Sequence, residues 1–496
     1  MELEAYLKRR FQYESFRPGQ KETIQSILAQ KDTIAMLPTG TGKSLCYQLP
    51  GYLLKGQVLI VSPLLSLMQD QVEQMMLMGE KNAVALNSFL TPVQKLQVLS
   101  DLKKYKFVFI SPEMMGIEAI TEKLKKMEIS LFVIDEAHCI SQWGYDFRPD
   151  YLKLGSVRKK LGNPLTLALT ATATAEVRED IARHLELKNW EEVIYSVDRP
   201  EISISVEQLD GSHSKLKRTI ELVKYLHGPG IIYFSSKKVA EHTASILREK
   251  GAGKVMAYHG GLDQESRILI QQQFIHGQLD VVCATSAFGM GINKSNIRYI
   301  IHYHMPMQME SYLQEIGRAA RDGKESIAIL LYAPGDEQLA LQLAEGELPD
   351  EAQIDRLFSW AAENGRGIHT ISGHEEELRQ LCGFTEIQWR IARDVLDGLH
   401  APGIEETKRS FTSFISDRLE VKRSKIFKML QWIHFSGCKR QFILEYFGDK
   451  VQGMTQNCCS SCGIDTRRFK DTGLTEQKKD SGPDWKKQLA LLLKNE

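Results

Sequence analysis

The stretch "AMLPTGTGKSLCYQLP", residues 35–50, joins an apolar run to a helical pattern through a glycine-rich turn. Apolar residues lead into a loop with Gly40 and Gly42, and a helical pattern begins after Lys43 and Ser44. Glycines let backbone N–H groups approach phosphates, and the start of a helix adds its dipole. The stretch therefore predicts a strand, a phosphate-binding loop and a helix, in which Lys43 reaches the terminal phosphates and Ser44 binds Mg²⁺.

Short apolar runs rich in Val, Ile and Phe alternate with helical patterns between residues 31 and 305. Such strands, separated by helices, are typical of parallel sheets that are covered on both faces. A polar connector at 195–213 has no helical period and divides the runs into two groups, so we predict α/β domains at 1–205 and 206–340. The predicted strands are "TIAMLP", "QVLIVSP", "KFVFIS", "LFVIDE", "LTLALTAT", "GIIYFS", "KVMAYH", "DVVCATS" and "IRYIIHY".

After residue 340 the sequence becomes charged and helical, which predicts a helical region at 341–430. Gly383 follows one short helix, and Thr385 with Gln388 has the spacing of a capping box at the start of another. This pattern predicts a helix-turn-helix with residues 401–410 as its wing; an ordinary helical hairpin is the alternative. The last residues, 471–496, have the composition of a polar tether and a short amphipathic helix.

The composition excludes several classes of protein. Hydrophobic residues make up 43% and charged residues 25% of the chain, which excludes disordered and fibrous proteins. No run approaches the roughly 18 apolar residues of a membrane span, and the first ten residues lack the apolar segment of a signal peptide. We therefore expect a cytoplasmic protein with no membrane partner. The formal net charge is zero, so a nucleic acid would have to bind to a local basic stripe.

An acidic pair follows the apolar run of "LFVIDEAHC", residues 131–139. Asp135 and Glu136 should therefore lie at the carboxyl edge of a parallel sheet, where ligands bind. Asp135 would hold Mg²⁺ through water, and Glu136 would orient and deprotonate an attacking water. His138 and the Thr/Ala run at 169–174 would report the state of the γ-phosphate.

Residues upstream of the phosphate loop have the chemistry that an adenine ring requires. Tyr13 and Arg17 offer planar groups that could sandwich a purine, and Gln20 offers a donor and an acceptor for its edge. A helix entry with a packed aromatic is the alternative for this stretch taken alone. The nucleotide would be ATP, and the loop residues predicted to bind it are Thr39, Gly40, Thr41, Gly42, Lys43 and Ser44.

Two further stretches supply positive charge and aromatic rings. In "YLQEIGRAARDG" (312–323), Arg318 and Arg321 are three residues apart, which predicts that they share one face of a helix. An arginine brought across a domain cleft to the γ-phosphoryl group accelerates hydrolysis by roughly 10³–10⁵. The loop that follows the acidic pair carries three side chains suited to stacking and cation contacts with single-stranded DNA. These side chains are Trp143, Phe147 and Arg148; an aromatic corner of the core is the alternative for them.

Four cysteines lie close together near the end of the chain, in a segment at 431–470 that we predict to be a zinc module. Four thiolates satisfy a tetrahedral Zn²⁺ without an open position for catalysis. Asp465 could replace one thiolate, and reduced, unligated cysteines are the alternative. Basic residues nearby, Lys439, Arg440 and the run at 421–425, predict a DNA-facing surface. The four cysteines are Cys438, Cys458, Cys459 and Cys462.

Taken together, the motifs resemble those of the RecQ family of superfamily 2 DNA helicases. The resemblance covers residues 5 to about 335 and resumes at 432–465. It implies two RecA-like lobes and ATP-driven duplex unwinding with 3′→5′ polarity in recombination, repair or replication restart, with ATP, Mg²⁺ and Zn²⁺ as cofactors. The motifs are "FRPGQ", "TGTGKS", "DEAH", "SQWGYDFRPDY", "TATAT", "ATSAFGMGIN" and "QEIGRAARDG".

The sequence departs from the family pattern at Tyr145, Asn293 and Ala320, where histidine, aspartate and glycine are common. The 34 residues after Cys462, 463–496, are too few for the winged-helix and HRDC modules of fuller members, so we expect a shortened form. The expected partners are single-stranded and duplex DNA, with single-strand-binding or repair proteins. We expect a monomer, associated with the nucleoid if the source is bacterial. The rival hypotheses are an RNA helicase of the same superfamily and a DNA-binding regulatory or annealing protein.

Overall fold

The structure is a computed structural model that describes residues 3–63, 65–87, 90–141, 148–289, 294–363, 373–399, 403–450 and 456–470. Trp143, Tyr145, Phe147 and Asn293 lie outside the described residues, as does the predicted tether at 471–496. The chain forms two compact units. Unit 1 comprises Met1–Arg199, Pro306–Gly317 and Gly335–Met454; unit 2 comprises Pro200–Met305, Arg318–Pro334 and Thr455–Glu496.

A seven-stranded sheet forms the centre of unit 1 among the described residues, and all its neighbouring strands are parallel. Its strands are β1 (Asp32–Met36), β2 (Gln57–Val61), β3 (Ala83–Leu86), β4 (Phe107–Ile110), β5 (Ile129–Ile134), β6 (Thr166–Thr170) and β7 (Trp190–Ile194), in the order β3-β4-β2-β5-β6-β1-β7. The central strand β2 is buried along its whole length, as expected for a sheet covered on both faces.

Helices connect these strands, and 3-10 turns lie at Leu102–Lys104 and Ala137–Ile140. The helices are α1 (Leu3–Phe11), α2 (Gln20–Leu28), α3 (Leu45–Leu53), α4 (Leu65–Leu77), α5 (Pro92–Ser100), α6 (Pro112–Met115), α7 (Glu118–Leu124), α8 (Pro149–Leu152), α9 (Leu154–Lys160) and α10 (Ala175–His184). Parallel strands need such crossovers, and the crossovers leave the carboxyl ends of the strands open to loops that can bind ligands.

Unit 2 contains a six-stranded parallel sheet among the described residues. Its strands are β8 (Ile202–Gln208), β9 (Gly230–Tyr233), β10 (Val255–Tyr258), β11 (Val281–Ala284), β12 (Tyr299–His302) and β13 (Ser326–Tyr332), in the order β10-β11-β9-β12-β13-β8. Its helices are α11 (Ser212–Tyr225), α12 (Lys237–Glu249) and α13 (Gln264–Ile275). A short 3-10 turn lies at Thr466–Phe469.

The remaining helices belong to unit 1. They are α14 (Met309–Ile316), α15 (Asp336–Gly346), α16 (Glu351–Glu363), α17 (Glu375–Cys382), α18 (Glu386–Gly398), α19 (Ile404–His434) and α20 (Lys439–Tyr446). Helices α16 to α19 enclose an apolar core of their own around Phe358, Trp389 and Phe411. No described helix is both long and apolar enough to cross a membrane.

The predicted fold class is confirmed: two parallel-sheet, RecA-like lobes are followed by a helical region and a cysteine cluster. All nine predicted strands occur. The predicted wing is wrong for its described part, because α19 begins at Ile404 and continues without interruption for 31 residues. The connector at 195–213 also contains a strand that we did not predict, β8, which pairs with β13.

Candidate functional site

The phosphate loop lies between β1 and α3, as its sequence predicts. The Leu37 N–H donates to the Thr170 carbonyl at 3.0 Å, so the loop leaves the sheet beside the end of β6. Gly40 and Gly42 have φ angles of 87° and 73°, which lie in the left-handed region that glycine tolerates. Ser44 is already helical at φ −57° and ψ −31°, so the loop ends at the N-terminus of α3, where an anion is stabilised.

Two of the three residues that we predicted to contact adenine, Arg17 and Gln20, bond to this loop. Gln20 is 4% exposed, and its Nε2 donates to the carbonyls of Thr41 at 2.7 Å and Gly42 at 3.1 Å. Its Oε1 accepts from the Arg17 N–H at 2.9 Å, and the Arg17 guanidinium donates to the Gly40 carbonyl. Tyr13 is half exposed. Gln20 therefore holds the loop, a contact that the sequence did not reveal.

The acidic pair lies directly after β5. The Asp135 N–H donates to the Val61 carbonyl at 2.9 Å, and the buried Tyr151 hydroxyl donates to the Asp135 carbonyl at 3.1 Å. Burial raises the pKa of the Asp135 carboxyl, and the nearby Lys43 ammonium opposes that shift. Asp135 and Lys43 therefore lie close enough to interact, at the carboxyl edge of the first sheet.

Asp135 and Ser44 have the donors that Mg²⁺ prefers. Mg²⁺ binds oxygen ligands and is commonly held by one or two carboxylates together with substrate phosphates. A buried carboxylate with a raised pKa gains most from a neighbouring cation, because the cation restores its ionised form. These residues therefore fit the metal that the phosphate loop implies.

His138 connects the acidic pair to the Thr/Ala run. Its Nδ1 lies 3.0 Å from Thr170 Oγ1 and 3.4 Å from Glu136 Oε2. Burial lowers the pKa of His138 well below its usual value, and nearby positive charges, led by Lys43, lower it further. The imidazole is therefore neutral at physiological pH, and its Nδ1 links the acidic pair to the Thr/Ala run.

The structure describes Ser141 and Arg148, which flank the proposed DNA-binding loop, but it does not describe Trp143 and Phe147. Before the loop, the Ser141 hydroxyl donates to the buried Asp180 carboxylate at 2.7 Å. After it, the Arg148 N–H donates to the Cys139 carbonyl at 3.0 Å, and its guanidinium donates to the Pro63 carbonyl at 2.9 Å. Ser141 and Arg148, which flank the loop, are therefore each held by hydrogen bonds, and Cys139 connects Arg148 to the Glu136 carbonyl.

Arg318 and Arg321 lie in unit 2, and our prediction that they share one face of a helix is wrong. The preceding helix α14 ends at Ile316, and Ala320 has a left-handed φ of 55°, which a helix cannot accommodate. Arg318 is 5% exposed, and its Nη1 donates to the Gly289 carbonyl. Arg321 is half-buried.

Lys439 and Arg440, which we predicted to face DNA, are instead buried in the protein, whereas Arg423 of the run at 421–425 is exposed. Lys439 and Arg440 are 5% and 2% exposed, and the Lys439 ammonium donates to the Ile433 carbonyl at 2.8 Å. Lys425 pairs with the buried Glu310 at 2.9 Å. Charge runs in sequence do not reveal which long side chains turn inward to a carboxylate or to the end of a helix.

The four cysteines come together. The sulfurs of Cys438, Cys458, Cys459 and Cys462 all lie within 4.8 Å of one another, the spacing that a tetrahedral thiolate site requires. Asp465 does not join this cluster, because its carboxylate pairs with Arg467 Nε at 2.8 Å. The donor set therefore fits Zn²⁺ with four thiolates.

Three protein-family profiles match the chain. A DEAD/DEAH box helicase profile matches residues 17–181, and a helicase conserved C-terminal domain profile matches residues 214–323. A RecQ zinc-binding profile matches residues 406–465, which include all four clustered cysteines. The first two profiles cover strands β1 to β6 and β9 to β12 of the two sheets, and the third covers the cysteine cluster.

Known proteins are similar over nearly the whole chain. A probable ATP-dependent DNA helicase RecS of Bacillus subtilis (strain 168) is 47% identical over 477 residues, which are 95% of this chain and 94% of that protein. An ATP-dependent DNA helicase RecQ of Synechocystis is 32% identical over 93% of this chain and 98% of that protein.

Solved structures share the fold. The DEAD-box helicase Mss116 bound to ssRNA and UDP-BeF has a TM-score of 0.57 and 19% identity, over 90% of this chain and 89% of that one. The Mycobacterium smegmatis helicase Lhr bound to ssDNA and AMP-PNP has a TM-score of 0.56 and 21% identity, over 79% of this chain and 56% of that one. At these identities the likeness supports the two-lobed fold alone.

Proposed function

The chain belongs to the RecQ family of ATP-dependent DNA helicases, and from this premise we propose that it moves 3′→5′ along single-stranded DNA and unwinds duplexes in recombination, repair or replication restart. One observation supports the coupling of ATP to DNA most directly. His138 contacts both Thr170 and Glu136 of the acidic pair, and Cys139, which accepts from the Arg148 N–H, donates its own N–H to the Glu136 carbonyl.

The proposed hydrolysis uses groups at the carboxyl edge of the first sheet. Lys43 binds the terminal phosphates, and Ser44 and Asp135 hold Mg²⁺, which when bound supplies charge to the phosphate oxygens. Glu136 orients the attacking water and accepts its proton. Tyr13, Arg17, Gln20 and the loop residues Thr39 to Gly42 contact the nucleotide, and Gln20 also donates to the carbonyls of Thr41 and Gly42.

Arg318 and Arg321 are the proposed source of the positive charge that stabilises the negatively charged γ-phosphoryl group in the transition state. In other phosphoryl-transfer enzymes an arginine in this role accelerates hydrolysis roughly 10³–10⁵-fold. The burial of Arg318 and its bond to the Gly289 carbonyl support a guanidinium that is held in place in unit 2 before it acts.

The energetics favour a switch driven by ATP over binding alone. Opening one base pair costs about 1.4 kcal/mol of stacking. Stacking an exposed base on an aromatic side chain returns about 1–3 kcal/mol. Binding could therefore melt a few pairs, whereas continued unwinding needs an affinity for DNA that changes with each hydrolysed ATP. We propose that Trp143, Phe147 and Arg148 supply this changing contact, with His138 as its link to the nucleotide.

The proposed cofactors and partners follow from the same residues. ATP and Mg²⁺ act at the phosphate loop, and Zn²⁺ has a structural role in the cysteine cluster. Single-stranded and duplex DNA are the proposed nucleic-acid partners. We further propose that the protein works as a monomer and meets single-strand-binding or repair proteins at the DNA.

Replacing Lys43 by Ala tests this function against its rivals. ATPase and strand displacement are measured on matched DNA and RNA duplexes, with Lys31→Ala as the control because Lys31 forms an exposed ion pair on the same lobe. We expect Lys43→Ala to lose both activities on DNA and Lys31→Ala to keep them. Stronger unwinding of RNA would favour an RNA helicase, and DNA activity that survives in Lys43→Ala would favour a regulatory protein.

A further inference from the structure

Arg199 is a residue that the sequence placed in a connector and that the structure places against the phosphate loop. Its Nη1 donates to the Thr39 carbonyl at 3.0 Å and to the Gly317 carbonyl at 3.3 Å. Hydrogen bonds from a charged donor are roughly twice as strong as neutral ones. Arg199 therefore ties the first residues of the loop to the end of α14.

The approach of α14 to the loop leaves no free space. A Cβ atom added at Gly317 would lie 1.8 Å from Thr39 Oγ1, which no real contact permits. The Gly317 N–H is meanwhile fixed by the Leu313 carbonyl at 2.9 Å. Thr39 therefore packs against Gly317 through its side chain and accepts a hydrogen bond from the Arg199 guanidinium through its carbonyl.

Arg199 is itself held by the helix that follows Cys438. Arg440 lies in α20 and is 2% exposed. Its Nη1 donates to Asp198 Oδ1 at 2.5 Å and to the Arg199 carbonyl at 3.0 Å. A guanidinium is seldom buried this fully without a partner, because the free energy lost when its charge leaves water must be offset by hydrogen bonds and ion pairs in the protein. Arg440 therefore fixes the backbone from which the Arg199 side chain reaches the loop.

We propose that Arg199 is a positioning residue for the phosphate loop and that Arg440 of α20 sets the position of Arg199. Helix α20 thereby contributes to ATP affinity through Asp198 and Arg199. The proposal rests on the ATP role of the phosphate loop. It goes further by assigning a function in nucleotide binding to a residue of the RecQ zinc-binding region.

The test compares Arg199→Ala, Arg440→Ala and the double variant in the full-length protein. The readouts are KM for ATP and kcat with saturating single-stranded DNA, the affinity for a fluorescent ADP analogue, and DNA affinity without nucleotide. Each single variant should raise KM about tenfold, the effect of losing one charge-assisted hydrogen bond, with kcat changed less than about threefold. Because both residues act on one path, the double variant should resemble Arg199→Ala. Arg409→Ala, an exposed arginine of α19, is the matched control.

Three results would overturn the proposal. They are an unchanged KM in Arg199→Ala, an unchanged KM in Arg440→Ala, and a double variant whose KM rises by the product of the two single effects. If Arg440→Ala does not fold, Arg440→Lys takes its place, and it should raise KM by less than Arg199→Ala does. The result for Lys43→Ala distinguishes the two proposals. ATPase activity that survives in Lys43→Ala would contradict the proposed function. If Lys43→Ala loses its ATPase activity but Arg199→Ala has a normal KM, only the role of Arg199 is contradicted.

Discussion

Glu136 has two properties that are unusual for an acidic residue. It is 9% exposed, and its backbone is left-handed at φ 50° and ψ 48°. For a residue other than glycine such a conformation costs roughly 1–3 kcal/mol and persists only where the surroundings impose it. Here the Glu136 N–H donates to Asp135 Oδ1 at 3.0 Å, and the Cys139 N–H donates to the Glu136 carbonyl at 2.9 Å. Strain at this turn supports its assignment to the catalytic machinery.

His304 in unit 2 predicts a pH dependence of stability. Burial, reinforced by the charge of Lys215, lowers the pKa of His304 to about 4. Its Nδ1 accepts the Ser235 N–H at 3.1 Å, so the native state favours the neutral ring. The unfolded histidine gains a proton below its ordinary pKa of about 6.5, and the folded one does not until about 4. Stability from this residue is therefore fully present above pH 6.5 and is lost as the pH falls towards 4.

The measurement is the free energy of unfolding in urea at pH 7 and pH 5. Between pH 7 and pH 5 the free energy of unfolding should fall by about 2 kcal/mol more in the parent protein than in His304→Gln. His276→Gln, which replaces an exposed histidine, should follow the parent. Identical losses in the parent and in His304→Gln would contradict the assignment.

Residues that act with their sequence neighbours were predictable, and residues that act across the chain were not. Lys43 and Ser44, or Asp135 and Glu136, follow an apolar strand within one continuous motif. Arg199 instead contacts residues 160 and 118 positions away, so no local pattern marks it. The burial of Arg440 was missed for the same reason, since its carboxylate partner lies 242 positions away.

At the scale of elements, the N-terminus of α18 shows a capping box. Thr385 Oγ1 accepts from the Gln388 N–H at 3.2 Å, and Gln388 Oε1 accepts from the Thr385 N–H at 2.9 Å, as the spacing predicted. Gln388 Nε2 also donates to the Leu348 carbonyl at 2.9 Å. The cap therefore fixes both the start of α18 and its contact with the segment after α15.

Removing this cap should weaken the helical region. Thr385→Ala deletes one acceptor and should lower the free energy of unfolding by about 1 kcal/mol. Thr385→Ser keeps the hydroxyl and should lie within about 0.5 kcal/mol of the parent. The comparison is made by urea unfolding followed by far-UV circular dichroism. Equal stability of the Ala and Ser variants would show that the hydroxyl does not stabilise α18.

Four strands were not predicted, β3, β7, β8 and β13, and two of them, β8 and β7, were missed for different physical reasons. The sequence of β8, "ISISVEQ", alternates apolar and polar residues, a period of two that could have revealed it. The edge strand β7 is largely exposed, so it lacks the apolar run that marked the others. The chain around Arg318 is not helical because Ala320 has a left-handed backbone. Alanine rarely adopts that conformation, so the sequence does not predict the end of the helix there.

At the scale of the whole molecule, the cysteine cluster predicts a bound metal. The purified protein should contain one zinc per chain by atomic emission. Cys459→Ser should lower that content, because Cys459 is fully buried in the cluster. Cys382→Ser, a buried cysteine elsewhere, should retain the metal. Full zinc content in Cys459→Ser would exclude a four-thiolate site.

The two-lobed architecture was predictable because its signal is strong and repeated. Fully apolar strands that alternate with helices can form little other than parallel sheets, and nine such runs occur between residues 31 and 305. The helical region gives a weaker signal, since its helices pack through partial apolar faces that do not specify their neighbours. The interior contacts of α19 and α20 could therefore be learned only from the structure.

We propose that ATP hydrolysis moves this protein in one direction along DNA. The most direct test of this proposal is strand displacement on one duplex that carries either a 3′ or a 5′ single-stranded tail, with and without ATP. We predict ATP-dependent displacement of the 3′-tailed duplex and little or none of the 5′-tailed one. Equal or faster displacement from the 5′ tail, or displacement without ATP, would contradict the account.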